Sequence, residues 1–164
     1  MALLHVDFFS DVLGMSVNMD VILPQKTNGQ IGMEGIAADG KYKTMYLLHG
    51  MSDDQTIWQR RTSIERYVSK LGIAVVMPTT HLAFYTDTCY GMRYWTFISE
   101  ELPGICREFF PNMSDKAEDT LAAGLSIDVY KRQVKGRRDI CGCKQICGDV
   151  SVRIYVIKGI KAGG

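Results

Sequence analysis

The chain has 164 residues, 46% of them hydrophobic, and a formal net charge of +1. That is enough apolar material for one domain with a real core. No early stretch has the basic flank and cleavage site of a signal peptide, and no run reaches the roughly 20 apolar residues of a membrane span, so a cytoplasmic protein is expected.

The charge is unevenly spread. Residues 1–127 hold 10 Lys+Arg against 15 Asp+Glu, net −5, whereas residues 128–164 hold 9 against 3, net +6. Three of the five cysteines, Cys141, Cys143 and Cys147, also fall in the short basic tail. Cys89 and Cys106 stand alone in the acidic part, which favours buried or partly buried thiols over a disulfide or a metal site.

In chain order, Leu3 to Leu13 and Ser16 to Leu23 read as two strands joined through Gly14, the second alternating Val17, Met19, Val21, Leu23 before Pro24. This is an antiparallel start. Residues 25–43 carry Asn28-Gly29, Gly32, Gly35 and Asp39-Gly40 and read as a surface loop. Thr44 to Leu48 is a more apolar strand running straight into His49-Gly50-Met51-Ser52. Ile57 to Leu71 has helical spacing and stops at Gly72. Ile73 to Met77 is the next strand, closed by Pro78. Tyr90 to Phe110 is a helix that Pro103 should kink or divide. Asp119 to Leu125 is short, apolar and closed by glycine, as a buried strand ending in a sharp turn would be.

Strands alternating with helices after an antiparallel pair predict an α/β sandwich: a mostly parallel sheet with helices on both faces. In such sheets, sites form at the carboxyl ends of strands. Two stretches fall there. One is the His49-Gly50 loop; the other is Gly124-Leu125-Ser126-Ile127-Asp128, a strand-to-helix turn of the Gly-x-Ser-x-Gly type that exposes a serine above the sheet. Its second glycine is replaced by Asp128, whose side chain would press on a neighbouring element.

Acyl transfer accounts for the pairing of these two stretches. A serine attacks a carbonyl, and the oxyanion that forms needs hydrogen-bond donors aimed at it. Ser126 is the candidate nucleophile. The backbone N–H groups of Ile127 and Met51 are the candidate oxyanion donors, with Gly50 allowing close approach and His49 supporting the loop. A histidine base and a carboxylate should follow the serine in this fold, yet the three histidines, His5, His49 and His81, all precede it. The triad cannot be completed within these residues.

Other residues receive quieter readings. His5 packs in its strand or faces water, and His81 is a solvated or hydrogen-bonded loop residue. Asp87, between two threonines, makes a local turn. Trp58, Tyr94 and Trp95 pack on helices, and Glu100-Glu101 is a solvated helix edge.

The blocks Tyr46-Leu47-Leu48-His49-Gly50-Met51-Ser52, Val75-Val76-Met77-Pro78, Tyr85-Thr86-Asp87-Thr88, Tyr90-Gly91, Glu100-Glu101-Leu102-Pro103, Phe109-Phe110-Pro111-Asn112-Met113 and Ala123-Gly124-Leu125-Ser126 occur in family order. On them the chain resembles the esterase D and S-formylglutathione hydrolase-like branch of the α/β-hydrolases, nearest its bacterial tributyrin-esterase type. The resemblance spans nearly all of residues 1–127. It implies hydrolysis of short acyl esters or thioesters, a small-molecule substrate, and no metal or organic cofactor. The family continues Ser-Met-Gly-Gly where this chain has Ser126-Ile127-Asp128-Val129.

Asp128-Val129-Tyr130-Lys131-Arg132-Gln133 back-translates as GAT GTG TAT AAG AGA CAG, which resembles a transposon end used to attach sequencing adapters. Residues 128–164 are therefore expected to be non-native, adapter-derived or out of frame. Taken at face value, the basic tail would suggest a nucleic-acid or membrane-surface contact, but Val134-Lys135-Gly136-Arg137-Arg138 lacks interleaved aromatics, and neither partner is expected. Cys141-Gly142-Cys143 with Cys147 is one ligand short of a closed zinc site, while Val150 to Ile160 has strand character. A sheet stopping here would leave the edge beside the Ser126 strand open. The alternative to an incomplete, inactive esterase is a noncatalytic interaction protein whose basic tail contacts an acidic partner. The sequence sets neither the acyl preference nor the oligomeric state.

Overall fold

A computed structural model of the chain describes residues 1–31, 35–36, 40–83, 85–125 and the backbone of 153–155. Its strands are β1 (Ala2–Ser10), β2 (Met15–Leu23), β3 (Thr44–Leu48), β4 (Ala74–Pro78), β5 (Thr120–Gly124) and β6 (Arg153–Tyr155). They form one sheet in the order β1-β2-β4-β3-β5-β6. The β1–β2 and β2–β4 pairs are antiparallel, and the β4–β3 and β3–β5 pairs are parallel. This is the expected α/β architecture with an antiparallel start.

The central strands are apolar on both sides because both sides are covered. Successive residues of a strand point to opposite faces, so Tyr46, Leu48, Ala74, Val76 and Ala122 enter one core while Met45, Leu47, Val75, Met77 and Ala123 enter the other. The first core is roofed by Phe97, Ile98, Leu102 and Cys106. The second is roofed by Ile57, Trp58, Ile64 and Val68. Burying each of these larger side chains contributes about 1.5–3 kcal/mol.

The second roof is two short helices, α1 (Ile57–Arg61) and α2 (Ile64–Val68), where the spacing predicted one. The interruption is local chemistry. Thr62 is extended (φ −140°, ψ 169°), and both its N–H and its hydroxyl return to the Trp58 carbonyl. Short hydroxyl side chains offer the backbone this alternative to continuing a helix.

The other roof begins four residues later than expected. Helix α3 (Tyr94–Thr96) leads through a π turn, Phe97–Glu101, into α4 (Leu102–Phe109). Asp87 explains the start: its carboxylate accepts from the Thr96 N–H (3.0 Å) and hydroxyl (2.7 Å), capping the first turn rather than closing a turn of its own. Proline explains the π turn. Pro103 has no N–H and would clash with the carbonyl four residues back in a regular α-helix. The wider turn, in which Leu102 N–H bonds Phe97 O, absorbs the misfit without breaking the stretch.

Glu101 at the end of that turn is not a solvated edge. Its carboxylate accepts from the backbone N–H of Asp11 (2.8 Å) and Val12 (3.1 Å) and from the Ser10 hydroxyl, clamping the β1–β2 connection. The strand β1 stops at Ser10, short of the expected Leu13, because the chain there is turning to meet this carboxylate. Gly14, at φ +67°, completes the reversal.

The β5 edge, expected to be open, is partly covered. The backbone of β6 pairs antiparallel with Ala122, Ala123 and Gly124. Among the described helices none is long and apolar enough to cross a membrane.

Candidate active site at the carboxyl ends of β3 and β5

Strand β3 delivers the chain into His49 and Gly50 at its carboxyl end. The next strand over, β5, ends alongside it: the Leu125 N–H bonds the Leu48 carbonyl at 3.3 Å. A Cβ placed on Gly50 would lie 3.5 Å from the Leu125 side chain, an ordinary contact among the described residues. The loop after β3 is thus packed against the residue that precedes Ser126. Ser126, Ile127 and Asp128 lie outside the described residues.

The His49 ring is buried and both its nitrogens are engaged. The Thr80 N–H lies 2.9 Å from Nε2, and Nδ1 lies 2.6 Å from the Gly50 carbonyl. A backbone N–H only donates and a carbonyl only accepts. Nε2 is therefore bare, and Nδ1 carries the proton that bonds Gly50 O. Burial lowers the pKa of His49, outweighing the carbonyl bond and the charges of Asp53 and Asp54. A neutral ring held at both ends has no lone pair left for a substrate.

Beyond Gly50 the chain makes a tight turn in which the Asp53 N–H bonds the Gly50 carbonyl at 3.3 Å, with Ser52 at φ +66°. Positive φ at that third position is the mark of a type II turn, normally filled by glycine. The Met51 side chain is exposed, and its N–H has no acceptor among the described residues. Asp54 then accepts from the hydroxyl and N–H of Thr56, the residue just before α1, chiefly the former, and these bonds hold its carboxyl below the usual range against a smaller effect of burial.

The loop after β4 is stitched to this one at three points. Thr79 exchanges hydrogen bonds with Gln55, Thr80 N–H holds His49 Nε2, and the Tyr85 hydroxyl donates to the His49 carbonyl at 2.7 Å. His81 and Tyr85 both adopt φ +49°. Among the described residues three non-glycine residues, Ser52, His81 and Tyr85, lie in the left-handed region, all in these two loops. Each such residue costs on the order of 1–3 kcal/mol, and strain of this kind concentrates at functional sites.

Several sequence readings find their place. His81 is exposed. His5 is also exposed, with Nδ1 2.6 Å from Asp20, its cross-strand partner, while Gln59 of α1 holds the other Asp20 oxygen at 2.9 Å. Cys106 is buried and its thiol is pushed up to about 12 by desolvation. Cys89, expected to be at least partly buried, is exposed. Trp58 is core, whereas Trp95 stands 41% exposed. Thr80 carries no signal in the sequence, and Tyr85 stands there only as part of the Tyr85-Thr86-Asp87-Thr88 block, with no sign that either fastens His49. Their contacts span 31 and 36 residues, and positive φ leaves no trace in a tyrosine's neighbours.

No family model matches the chain. Over 131 residues it is 28% identical to the acetyl esterase of Caldicellulosiruptor saccharolyticus, a match taking in 79% of this chain and 48% of that enzyme. Among solved structures it is similar to FphF, a fluorophosphonate-binding serine hydrolase of Staphylococcus aureus, at 35% identity and TM-score 0.67. It is also similar to the S-formylglutathione hydrolase FrmB of the same organism, at 35% identity and TM-score 0.64. Both superpositions cover 79% of this chain and 49% of the other. The chain therefore spans about half the length of the relatives it matches. With its antiparallel start, its parallel centre and its loop at the end of β3, the N-terminal region of this chain has the front part of an α/β-hydrolase fold and resembles the esterase D and S-formylglutathione hydrolase-like family.

Proposed function

We propose that residues 1–127 are the first part of a serine carboxylic-ester hydrolase acting on short acyl esters or thioesters, without metal or organic cofactor. The observation that carries this reading is the His49-Gly50-Met51 loop, anchored at the end of β3 against Leu125 and presenting a Met51 N–H with no acceptor among the described residues. The similar acetyl esterase and S-formylglutathione hydrolase support it.

In this reading the Ser126 oxygen adds to the acyl carbon. The carbonyl π electrons move to oxygen, and the N–H groups of Met51 and Ile127 receive the charge. Collapse of that intermediate expels the alcohol or thiol, and water releases the acyl group in a second cycle through the same donors. A base must take the serine proton and return it to the leaving group. No histidine follows Ser126, and His49 is committed at both nitrogens. The base and its carboxylate partner therefore lie outside these 164 residues, residues 128–164 are a non-native tail, and the chain alone is inactive.

Long-read sequencing of the source DNA without transposon adapters, across codons 120 to 164, tests the tail. A frame that restores glycine at position 128 and supplies a later Asp and His supports the reading. Native DNA encoding Asp128 to Gln133 overturns it. The restored chain should then hydrolyse 4-nitrophenyl acetate, with Ser126→Ala reducing kcat by about 10³-fold or more.

A further inference from the structure

Building on that reading, we infer that Tyr85 and His49 are positioning residues that fix the direction of the Met51 N–H, the donor proposed for the oxyanion. The argument is one of peptide geometry. The Gly50 carbonyl and the Met51 N–H belong to the same planar, trans unit, so they point in opposite directions. Whatever holds the carbonyl aims the N–H.

Two groups hold that carbonyl: the His49 Nδ1–H at 2.6 Å and the Asp53 N–H at 3.3 Å. With both in place the Gly50-Met51 peptide cannot flip without losing two hydrogen bonds. The imidazole can grip the carbonyl only because its own position and tautomer are set elsewhere. Thr80 N–H, 2.9 Å from Nε2, forces the proton onto Nδ1. The Tyr85 hydroxyl, 2.7 Å from the His49 carbonyl, fixes the preceding peptide plane, His49-Gly50. Two successive peptide planes are thereby pinned from the loop after β4, one directly and one through the imidazole.

The left-handed backbone at Tyr85 fits this role. A tyrosine at φ +49° is strained, and the strain is retained in a residue that is buried and spans from one loop to the other. An ordinary core tyrosine has no need of that conformation. Nor does a core histidine need its Nδ1 proton directed at the following residue's carbonyl.

Nuclear magnetic relaxation of the ¹⁵N-labelled 164-residue chain tests the inference without requiring catalysis. The wild-type His49 ring should show the proton on Nδ1, and the Met51 amide should have an order parameter near about 0.85, the value of rigid backbone. In His49→Ala and in Tyr85→Phe it should fall below about 0.6, the range of flexible backbone, with His49→Asn, whose amide can again offer N–H to Gly50 O, restoring part of the loss. Dispersed amides from β3 and β4 in the same spectra report that each variant is folded; Tyr85→Phe, which keeps the ring, is the variant to judge by should His49→Ala unfold. A mobile Met51 amide in the wild type, a ring protonated on Nε2, or a Met51 amide equally rigid in folded Tyr85→Phe overturns the inference. Failure of the restored chain to hydrolyse esters would instead sink the functional reading, because the amide readout does not involve Ser126.

Discussion

Two reversals of this chain solve the same geometric problem in different ways. Between β1 and β2 the left-handed backbone falls on Gly14, which has no Cβ to strain, and the connection is clamped by one carboxylate from a distant helix. Beyond β3 and β4 the left-handed backbone falls on Ser52, His81 and Tyr85. The first arrangement is that of a loop whose task is to turn. The second retains strain where glycine would relieve it, and it surrounds the buried histidine that grips Gly50. The contrast sets the loops after β3 and β4, where the candidate site lies, apart from the β1–β2 turn without reference to any catalytic motif.

Mutations can break the contrast from either side. His49→Ala should have the largest effect on stability, about 3 kcal/mol by chemical denaturation, since it leaves a cavity and orphans the Thr80 N–H. Glu101→Ala should cost about 2 kcal/mol by withdrawing a charged acceptor from three donors. Unlike His49→Ala, it should leave the Met51 amide undisturbed. A smaller and opposite-signed pair sharpens the comparison: Gly14→Ala should destabilise, and Ser52→Gly should stabilise, each by about 1 kcal/mol. Equal responses of the two sites would remove the distinction between them.

The finest test is pH. Burial depresses the His49 pKa below its ordinary 6.5, so the unfolded chain binds that proton first. The corresponding stability is complete above pH 6.5 and is lost as pH falls from there toward the depressed folded value. Denaturation midpoints measured between pH 7.5 and 5 should fall in the wild type and fall less in His49→Asn. Matching slopes would mean that His49 is not kept neutral by the fold.

The sequence made some of this visible and hid the rest for physical reasons. Thr44 to Leu48 is legible with its true bounds because a strand buried on both faces is largely apolar. The helix around Pro103 was visible, but its form was not: proline announces a misfit, and whether the helix bends, breaks or widens depends on what its two ends must reach. Glu101 looked like surface because its partners lie about 90 residues away. The split after Arg61 carried a local clue, the Thr62-Ser63 pair, outweighed by the apolar spacing on either side. At the candidate site, the position of the His49-Gly50 loop followed from the strand pattern, while the Thr80 and Tyr85 contacts depend on two loops meeting in space.

The π turn at Phe97–Glu101 has a consequence for which residues can be removed. A π turn holds one residue more than an α-helix of the same rise, and each residue of an α-helix adds about 100° of rotation. Upstream of the turn Thr96 is fastened to Asp87, and downstream of its last residue nothing can rotate without pulling Glu101 from Asp11 and Val12. Deleting Ser99 would let the helix close into regular α form and turn one anchor about 100° past the other. The extra residue is an angular spacer: it sets the phase between a cap at one end of the helix and a clamp at the other.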